Sequence, residues 1–290
     1  MSIVVTGATG HLGRLIVESL LKRGVAAAEI VAAGRSIDKI ADFAERGIRT
    51  VSIEYADPAS LQAAFAGAET LVLVSGSEVG QRIAQHTNAI AAAKDAGIGR
   101  IVYTSAPHAD TTTLILAPEH KATEELIRAA GIPFTILRNG WYTENYVQTV
   151  EQAGQTGEII ASVGDARVAS ASRADYADAV AAVLTTPGHE NAVYELTGDV
   201  AWTHHDLAAA AASVFGRDVV YTPLSAEEHL ATLIAAGLPA ETAGFIVALD
   251  ANIADGLLGH TPGDLSRLIG RPTTPLEAGL RDALGIPADV

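Results

Sequence analysis

A doubly wound parallel α/β sheet with a smaller, irregular α/β C-terminal lobe is the fold class that this 290-residue sequence predicts. Short β-branched runs alternate with stretches of helical apolar spacing. The runs are apolar throughout, as in strands covered on both faces. A glycine-rich turn joins the first run to the first helical stretch, where an open parallel sheet carries its ligand turn.

Residues 3–6 (IVVT) form the first expected strand. They run straight into glycines with no basic segment ahead, so they read as a strand and not a secretory leader. Leu12, Leu15, Ile16, Ser19 and Leu20 then share one face of a helix. Further strands follow at 29–34 (EIVAAG), 49–53 (RTVSI), 70–75 (TLVLVS), 100–105 (RIVYTS) and 134–139 (FTILRN). In the helix before the fifth strand, Ile83, Thr87, Ile90 and Ala91 share a face. Strands that alternate with helices make right-handed βαβ crossovers. Residues 1–150 are therefore expected to form a Rossmann dinucleotide-binding domain, and 151–290 a smaller substrate-binding lobe. In the second half a helix is expected near 174–185, a strand at 193–197, helices near 204–215 and 226–236, and a last helix from Pro275 to Leu284. Some of these segments are expected to return to the sheet, leaving a ligand-holding cleft between the lobes.

Composition narrows the function. Apolar residues make up 49% and charged residues 18%, as in an ordered globular chain. The net charge of −15, with no basic run, argues against a nucleic-acid partner. The absence of cysteine removes disulfides, thiol nucleophiles and thiolate metal sites, and it suits a reducing cytoplasm, the expected location. No apolar run is long enough to span a membrane. The histidines, including adjacent His204 and His205, lack ligand spacing, so no metal is expected. No GxSxG elbow supports serine hydrolysis. Glu124, Glu125, Asp175 and Asp178 read as helix N-terminal or solvent-facing carboxylates and not as a catalytic pair.

The turn VVTGATGHLG carries the sharpest signal. Gly7 can make the tight turn, Gly10 has no Cβ to hold off a diphosphate, and Gly13 lets helix and strand approach. The helix N-terminus offers free N–H groups to the phosphates, and the Thr6 and Thr9 hydroxyls can add to them. After the second strand, where an acidic residue would bind ribose hydroxyls, the chain has Arg35 and no Asp or Glu. A guanidinium can clamp a 2′-phosphate that a carboxylate would repel. NADP is thus expected over NAD, with NAD open as the alternative.

Further motifs are SGSEVGQR at 75–82, YTSAPHADT at 103–111, EHKATE at 119–124, LRNGWYTENY at 137–146, ASASRADYADA at 169–179 and LIGRPTTPL at 268–276. With the glycine turn, these resemble the type-2 NAD(P)H:quinone oxidoreductases, an NmrA-like group of atypical short-chain dehydrogenases related to triphenylmethane reductase. The resemblance implies hydride transfer from a nicotinamide to a quinone or similar flat acceptor, with neither flavin nor metal. It places Gly7, Ala8, Thr9, Gly10, His11 and Leu12 around the diphosphate and Arg35 at the 2′-phosphate. It puts Ser75, Gly76 and Ser77 beside the nicotinamide-side ribose. Arg138, Asn139, Gly140, Trp141, Tyr142 and Thr143 would form the wall beside the nicotinamide, with Arg173 a further contact. The superfamily's usual Tyr-x-x-x-Lys pair is missing, which suits an acceptor needing little acid catalysis, but also a dinucleotide-binding redox sensor without turnover.

On the substrate side, Ser105 ends the fifth strand and should face the cleft. His120 and His108 are candidate proton donors near neutral pH, as is the Tyr142 hydroxyl. Trp141, Tyr142 and Tyr146 cluster in one loop of a chain with only 5% aromatics and could stack on a flat acceptor. A polycyclic metabolite or triphenylmethane dye is the alternative substrate. The expected partner is a small aromatic molecule, with a homodimer left open.

Overall fold

The computed structural model describes residues 2–287; Met1 and residues 288–290, the outer limits of the two expected lobes, lie outside them. The first half is built from β1 (Ile3–Val5), α1 (His11–Lys22), β2 (Ile30–Gly34), α2 (Ala41–Glu45), β3 (Arg49–Ser52), α3 (Pro58–Phe65), β4 (Thr70–Leu73), α4 (Arg82–Asp95), β5 (Arg100–Ser105), α5 (Ala117–Ala130) and β6 (Phe134–Asn139). There follow α6 (Val147–Thr156), β7 (Glu158–Ala161), β8 (Arg167–Val168), α7 (Arg173–Thr185), β9 (Ala192–Leu196), β10 (Trp202–Thr203), α8 (His204–Phe215), β11 (Val220–Pro223), α9 (Ala226–Ala235), α10 (Ala240–Ala254), α11 (Asp264–Ile269) and α12 (Leu276–Leu284).

Among the described residues, seven strands form one parallel sheet in the order β3-β2-β1-β4-β5-β6-β9. The order reverses between β1 and β4, so the loops at their carboxyl ends diverge and open a crevice. The central strands are wholly buried, which is why their sequences carry no polar alternation. One face is covered by α1, α7 and α11, with Ile16, Leu20, Val180 and Leu265 in the core. The other face is covered by α3, α4 and α5, around Phe65, Ile90, Tyr103 and Ile127. A third core gathers Tyr146, Val150, Trp202, Leu207 and Leu280, together with Ala106, Leu114 and Ala117 from the first half. Burying each such side chain contributes about 1.5–3 kcal/mol.

Capping residues set the helix limits. Asp57 caps α3 through the Ala59 amide, with Pro58 in the first turn, and Thr203 and Ser225 form capping boxes with Asp206 and Glu228. α1 differs: its N-cap, Gly10, has no side chain to offer its first amides.

Two expectations need correction. On α4 the buried face is Arg82, His86, Ala89, Ile90 and Ala93, while Ile83, Thr87 and Ala91 are exposed, because polar partners on α5 draw Arg82 and His86 inward. Glu124 lies mid-helix on α5 as a buried ion-pair partner of Arg138 at 2.7 Å, while Asp175 stands in the first turn of α7 as expected but is buried, meeting Arg271 at 2.7 Å. Between α9 and α11 the chain also forms the 15-residue helix α10, which no expectation covered. No helix among the described residues is long and apolar enough to cross a membrane.

Candidate active site

A cavity of about 870 Å³ runs along the carboxyl ends of the strands. Strand order assigns its two ends. Residues following β2 and β3 (Arg35, Ser36, Lys39, Glu54, Tyr55) lie at one, and residues following β5 and β6 (Ser105, Ala106, Pro107, Asn139, Gly140, Trp141, Tyr142) at the other.

The glycine turn forms the floor between them. Gly7 sits at φ +63°, in the left-handed region that glycine favours. A Cβ on Gly13 would lie 2.2 Å from the Gly7 carbonyl oxygen, so this position admits only glycine at the observed α1–β1 separation. The uncapped N-terminus of α1 faces the cavity through Gly10, His11, Leu12 and Gly13. Unsatisfied amides at the positive end of a helix dipole, without a Cβ in the way, fit a diphosphate. Thr9 lines the cavity, but Ala8 does not: it is buried, and its amide donates to the Ala33 carbonyl at 2.9 Å. The Thr6 hydroxyl is also withdrawn, donating to the Val72 carbonyl at 3.0 Å and accepting from the Val74 amide at 3.0 Å. Tyr55 donates to Thr6 Oγ1 at 2.8 Å, fastening the far wall to the turn.

Residues 75–82 form the rim opposite α1, and buried groups hold them. The Gly76 amide donates to His86 Nε2 at 3.1 Å, and Arg82 Nε donates to the Gly76 carbonyl at 2.9 Å. Arg82 also pairs with Glu119 at 2.9 Å, and Glu119 accepts from the Gly80 amide at 3.0 Å. Because His86 Nε2 accepts, its proton lies on Nδ1, directed to Thr123 Oγ1 at 2.9 Å. Burial, aided by the Arg82 charge, pushes His86 down to about 3, so it is neutral at physiological pH.

Two rungs between β5 and α5 shape the cavity end that follows β5 and β6. Tyr103 and Ser105, two residues apart on β5, meet His120 and Glu124, four apart on α5. Ser105 donates to Glu124 at 2.6 Å, and Arg138 clamps that carboxylate through Nε at 2.9 Å and Nη2 at 2.7 Å. The Tyr103 hydroxyl lies 2.8 Å from His120 Nδ1. His120 lines the cavity, and burial, then the Arg82 and His86 surroundings, pushes it down to about 3. Around it the wall is apolar: Ala106, Pro107, Leu114, Leu116, Trp141 and Leu258.

The remaining expected site residues divide. Ser75, Gly76, Ser77, Asn139, Gly140, Trp141, Tyr142 and Arg173 line the cavity. The Tyr142 ring lies under the Arg173 guanidinium at 4.8 Å, and burial raises its hydroxyl above the ordinary phenol range. Arg138, Thr143, Tyr146 and His108 do not line it. Arg138 is turned to Glu124, Asp110 (2.8 Å) and Glu195 (2.9 Å), because three carboxylates compete for it away from the cleft. Thr143 bonds Ser170 at 2.9 Å, and Tyr146 packs edge-on to Trp202 at 4.9 Å inside the third core. His108 faces a neighbouring depression, its amide donating to Glu195 at 3.0 Å and its ring against His260. The sequence reading did not include Lys39, Tyr55, Glu78, Arg82, Gln85, Leu114, Leu116 or Leu258, all of which line the cavity. Of these, Lys39 carried a local signal, a second cation one helical turn beyond Arg35.

The sequence profile of the NmrA-like family matches residues 1–255. Quinone oxidoreductase 2 of Escherichia coli is 47% identical over 94% of this chain and 96% of that protein. The E. coli NADPH-dependent quinone oxidoreductase solved in complex with NADPH superposes with a TM-score of 0.92 at 45% identity, covering 97% of this chain and 99% of that one. Triphenylmethane reductase of Citrobacter sp. superposes with a TM-score of 0.93 at 39% identity, covering 99% of this chain and 100% of that one. With its parallel sheet, its glycine turn and these matches along nearly its whole length, the chain belongs to the NmrA-like family.

Proposed function

We propose that the chain is an NADPH-dependent oxidoreductase acting on quinones or comparably flat aromatic acceptors. The observation that carries this reading is one continuous cavity with cations at one end, a phosphate-suited floor in the middle and a largely apolar wall with a neutral imidazole at the other end. When bound, the dinucleotide supplies a hydride from its nicotinamide. The amides of His11 to Gly13 hold the diphosphate, the Gly10 amide being bonded to the Gly7 carbonyl, Arg35 and Lys39 attract the 2′-phosphate, and Ser75–Ser77 with Asn139–Tyr142 flank the nicotinamide half.

His120 acts on the acceptor as a hydrogen-bond donor. Burial keeps Tyr103 a phenol, and with its hydroxyl donating to Nδ1 the neutral His120 carries its proton on Nε2. Such a donor polarises an acceptor oxygen and stabilises the phenolate that develops there, without giving up its own proton. Ser105 has committed its hydroxyl proton to Glu124 and offers only lone pairs to the cleft. Tyr142, held as a phenol, remains a second donor. The proton that completes a hydroquinone comes from water at the cleft mouth. Trp141, Leu114, Leu116 and Leu258 exclude solvent from one side of the acceptor and suit a flat ring.

The test is oxidation of NADPH by a set of benzoquinones and naphthoquinones under anaerobic conditions. Turnover well above the uncatalysed rate, reduced by His120→Phe, is expected. Background rates across the whole set, with tight dinucleotide binding retained, would replace this reading with that of a redox sensor.

A further inference from the structure

The turn after β2, where a dinucleotide fold places the carboxylate that reads ribose hydroxyls, has Arg35, Ser36 and Lys39 in the cavity wall and no acid there. A carboxylate nevertheless reaches that position from another part of the chain. Glu78, in the rim loop after β4, pairs its Oε1 with Arg35 Nη1, and both residues line the cavity. Its Oε2 accepts from Gln85 Nε2 at 2.7 Å, and Gln85 stands on α4 in the same wall. The loop that presents Glu78 is tied down on both sides, by the Gly76 amide on His86 and the Gly80 amide on Glu119. The backbone that carries Glu78 is thus anchored, while its side chain, 42% exposed, is held only by Arg35 and Gln85. The Gln85 amide first, and then the Arg35 charge, keep it ionised.

The ion pair has opposite consequences for two ligands. A 2′-phosphate approaching Arg35 finds the guanidinium already paired and a second anion beside it. A 2′-hydroxyl approaching the same point finds an ionised acceptor held in place by Arg35 and Gln85.

We propose that Glu78 sets the balance between the two dinucleotides: paired with Arg35 it accepts from the 2′-hydroxyl of NADH, and its displacement from Arg35 is what admits the 2′-phosphate of NADPH. This rests on the cofactor reading given above. Arg35 and Glu78 act as one selector. Arg35 alone would make the site strictly selective for the phosphorylated form, and Glu78 moderates that preference. The device needs no acid on the β2 turn, because the rim loop delivers one across the mouth of the cleft.

The test is titration of the full-length protein with NADPH and with NADH, followed by calorimetry or nicotinamide fluorescence. Wild type, Glu78→Gln, Glu78→Ala and the double variant R35Q/E78Q are compared. Exposed ion pairs and charge-assisted hydrogen bonds set the expected size, roughly three- to tenfold in each direction. Glu78→Gln should bind NADPH that much more tightly and NADH that much more weakly, with Glu78→Ala showing the same signs. In R35Q/E78Q the gain for NADPH should vanish, since it acts through the released guanidinium. An NADPH/NADH affinity ratio unchanged in both single variants, or a gain that persists without Arg35, would overturn the proposal while leaving the cofactor reading intact. Failure of the wild type to bind either dinucleotide would overturn the cofactor reading, and this proposal with it. Thermal melts of each variant confirm folding, and substitution of a side chain as exposed as that of Glu78 (42%) should leave them close to wild type.

Discussion

Substituting Gly13 by alanine tests how closely α1 is seated on β1. The added Cβ would stand 2.2 Å from the Gly7 carbonyl oxygen, 2.5 Å from its carbon and 2.8 Å from the Ala8 amide nitrogen. All three are backbone atoms of the same turn, so no side chain can swing aside; the helix start must retreat by an ångström or more. Overpacking of this kind costs about 1–3 kcal/mol, and the worst-placed backbone contacts argue for the upper half. Alanine returns about 0.5–1 kcal/mol through its better helix propensity. The net loss is about 2 kcal/mol, which for a chain of this length lowers Tm by about 3–4 °C. Gly10→Ala is the internal control. Its backbone is extended (φ −96°), and its Cβ would meet only the Gly7 oxygen at 3.3 Å. It should melt within about 2 °C of wild type, yet lose at least about tenfold in dinucleotide affinity, because the methyl group occupies the floor where the diphosphate would sit. Circular-dichroism melts without ligand, with a binding titration for each variant, check both expectations. A Gly13→Ala protein that melts with the wild type would refute the packing argument. A Gly10→Ala protein that binds normally would refute the placement of the diphosphate.

The other expectations concern the acceptor end and pH. Tyr103→Phe should lower kcat for quinones several-fold, with little change in KM, because His120 loses the group that orients its proton. His120→Phe should lower kcat about 10²-fold. Both effects should be flat between pH 6 and 8, and an inflection near 6.5 would show that His120 works as a cationic acid. Removing Arg138 as Arg138→Met leaves Glu124 buried without its partner and should cost about 3–5 kcal/mol in urea unfolding. The double variant with Glu124→Gln should recover part of that loss, and an additive double loss would contradict the pairing. His86 and His120 lie at about 3 and His204 at about 4, below the ordinary 6.5, all through burial. The unfolded chain therefore takes up protons below pH 6.5 that the folded chain refuses. Stability is full above that value and falls by about 1.4 kcal/mol per histidine per pH unit below it. Between pH 7 and 5 the loss should reach about 4–6 kcal/mol, and unfolding free energies within about 1 kcal/mol of each other would refute neutral burial.

Much of the sheet and of the glycine turn was legible in the sequence, because the forces that shape them are local. Fully buried parallel strands have to be continuously apolar, and a left-handed turn followed by a close helix has to use glycine at Gly7 and Gly13. The inner face of α4 was not legible. Its buried residues Arg82 and His86 look solvent-facing until Glu119 and Thr123, 37 positions away in each case, supply their partners. The same holds for the rungs Tyr103–His120 and Ser105–Glu124: the residue types were visible, but their partnership depends on how α5 is laid along β5. Arg138 was read with the motif LRNGWYTENY, but it stands on β6 ahead of the loop. Its place opposite Ser105 in the β5–β6 register turns it to the α5 side and its carboxylates. Local charge counting likewise could not find Glu78, which acts 43 positions from Arg35.

The position of β9 has a consequence for how the chain can be divided. This strand comes from the second half yet closes the sheet against β6, and α7 packs along α1. A chain severed near residue 150 would leave β6 as a raw edge and uncover the apolar flank of the first helix, including Ile16 and Leu20. Residues 1–150 therefore lack the strand and the helix that complete their sheet and its cover. Grafting a foreign C-terminal region onto them, as a route to new acceptors, would have to carry residues 173–196 along unchanged.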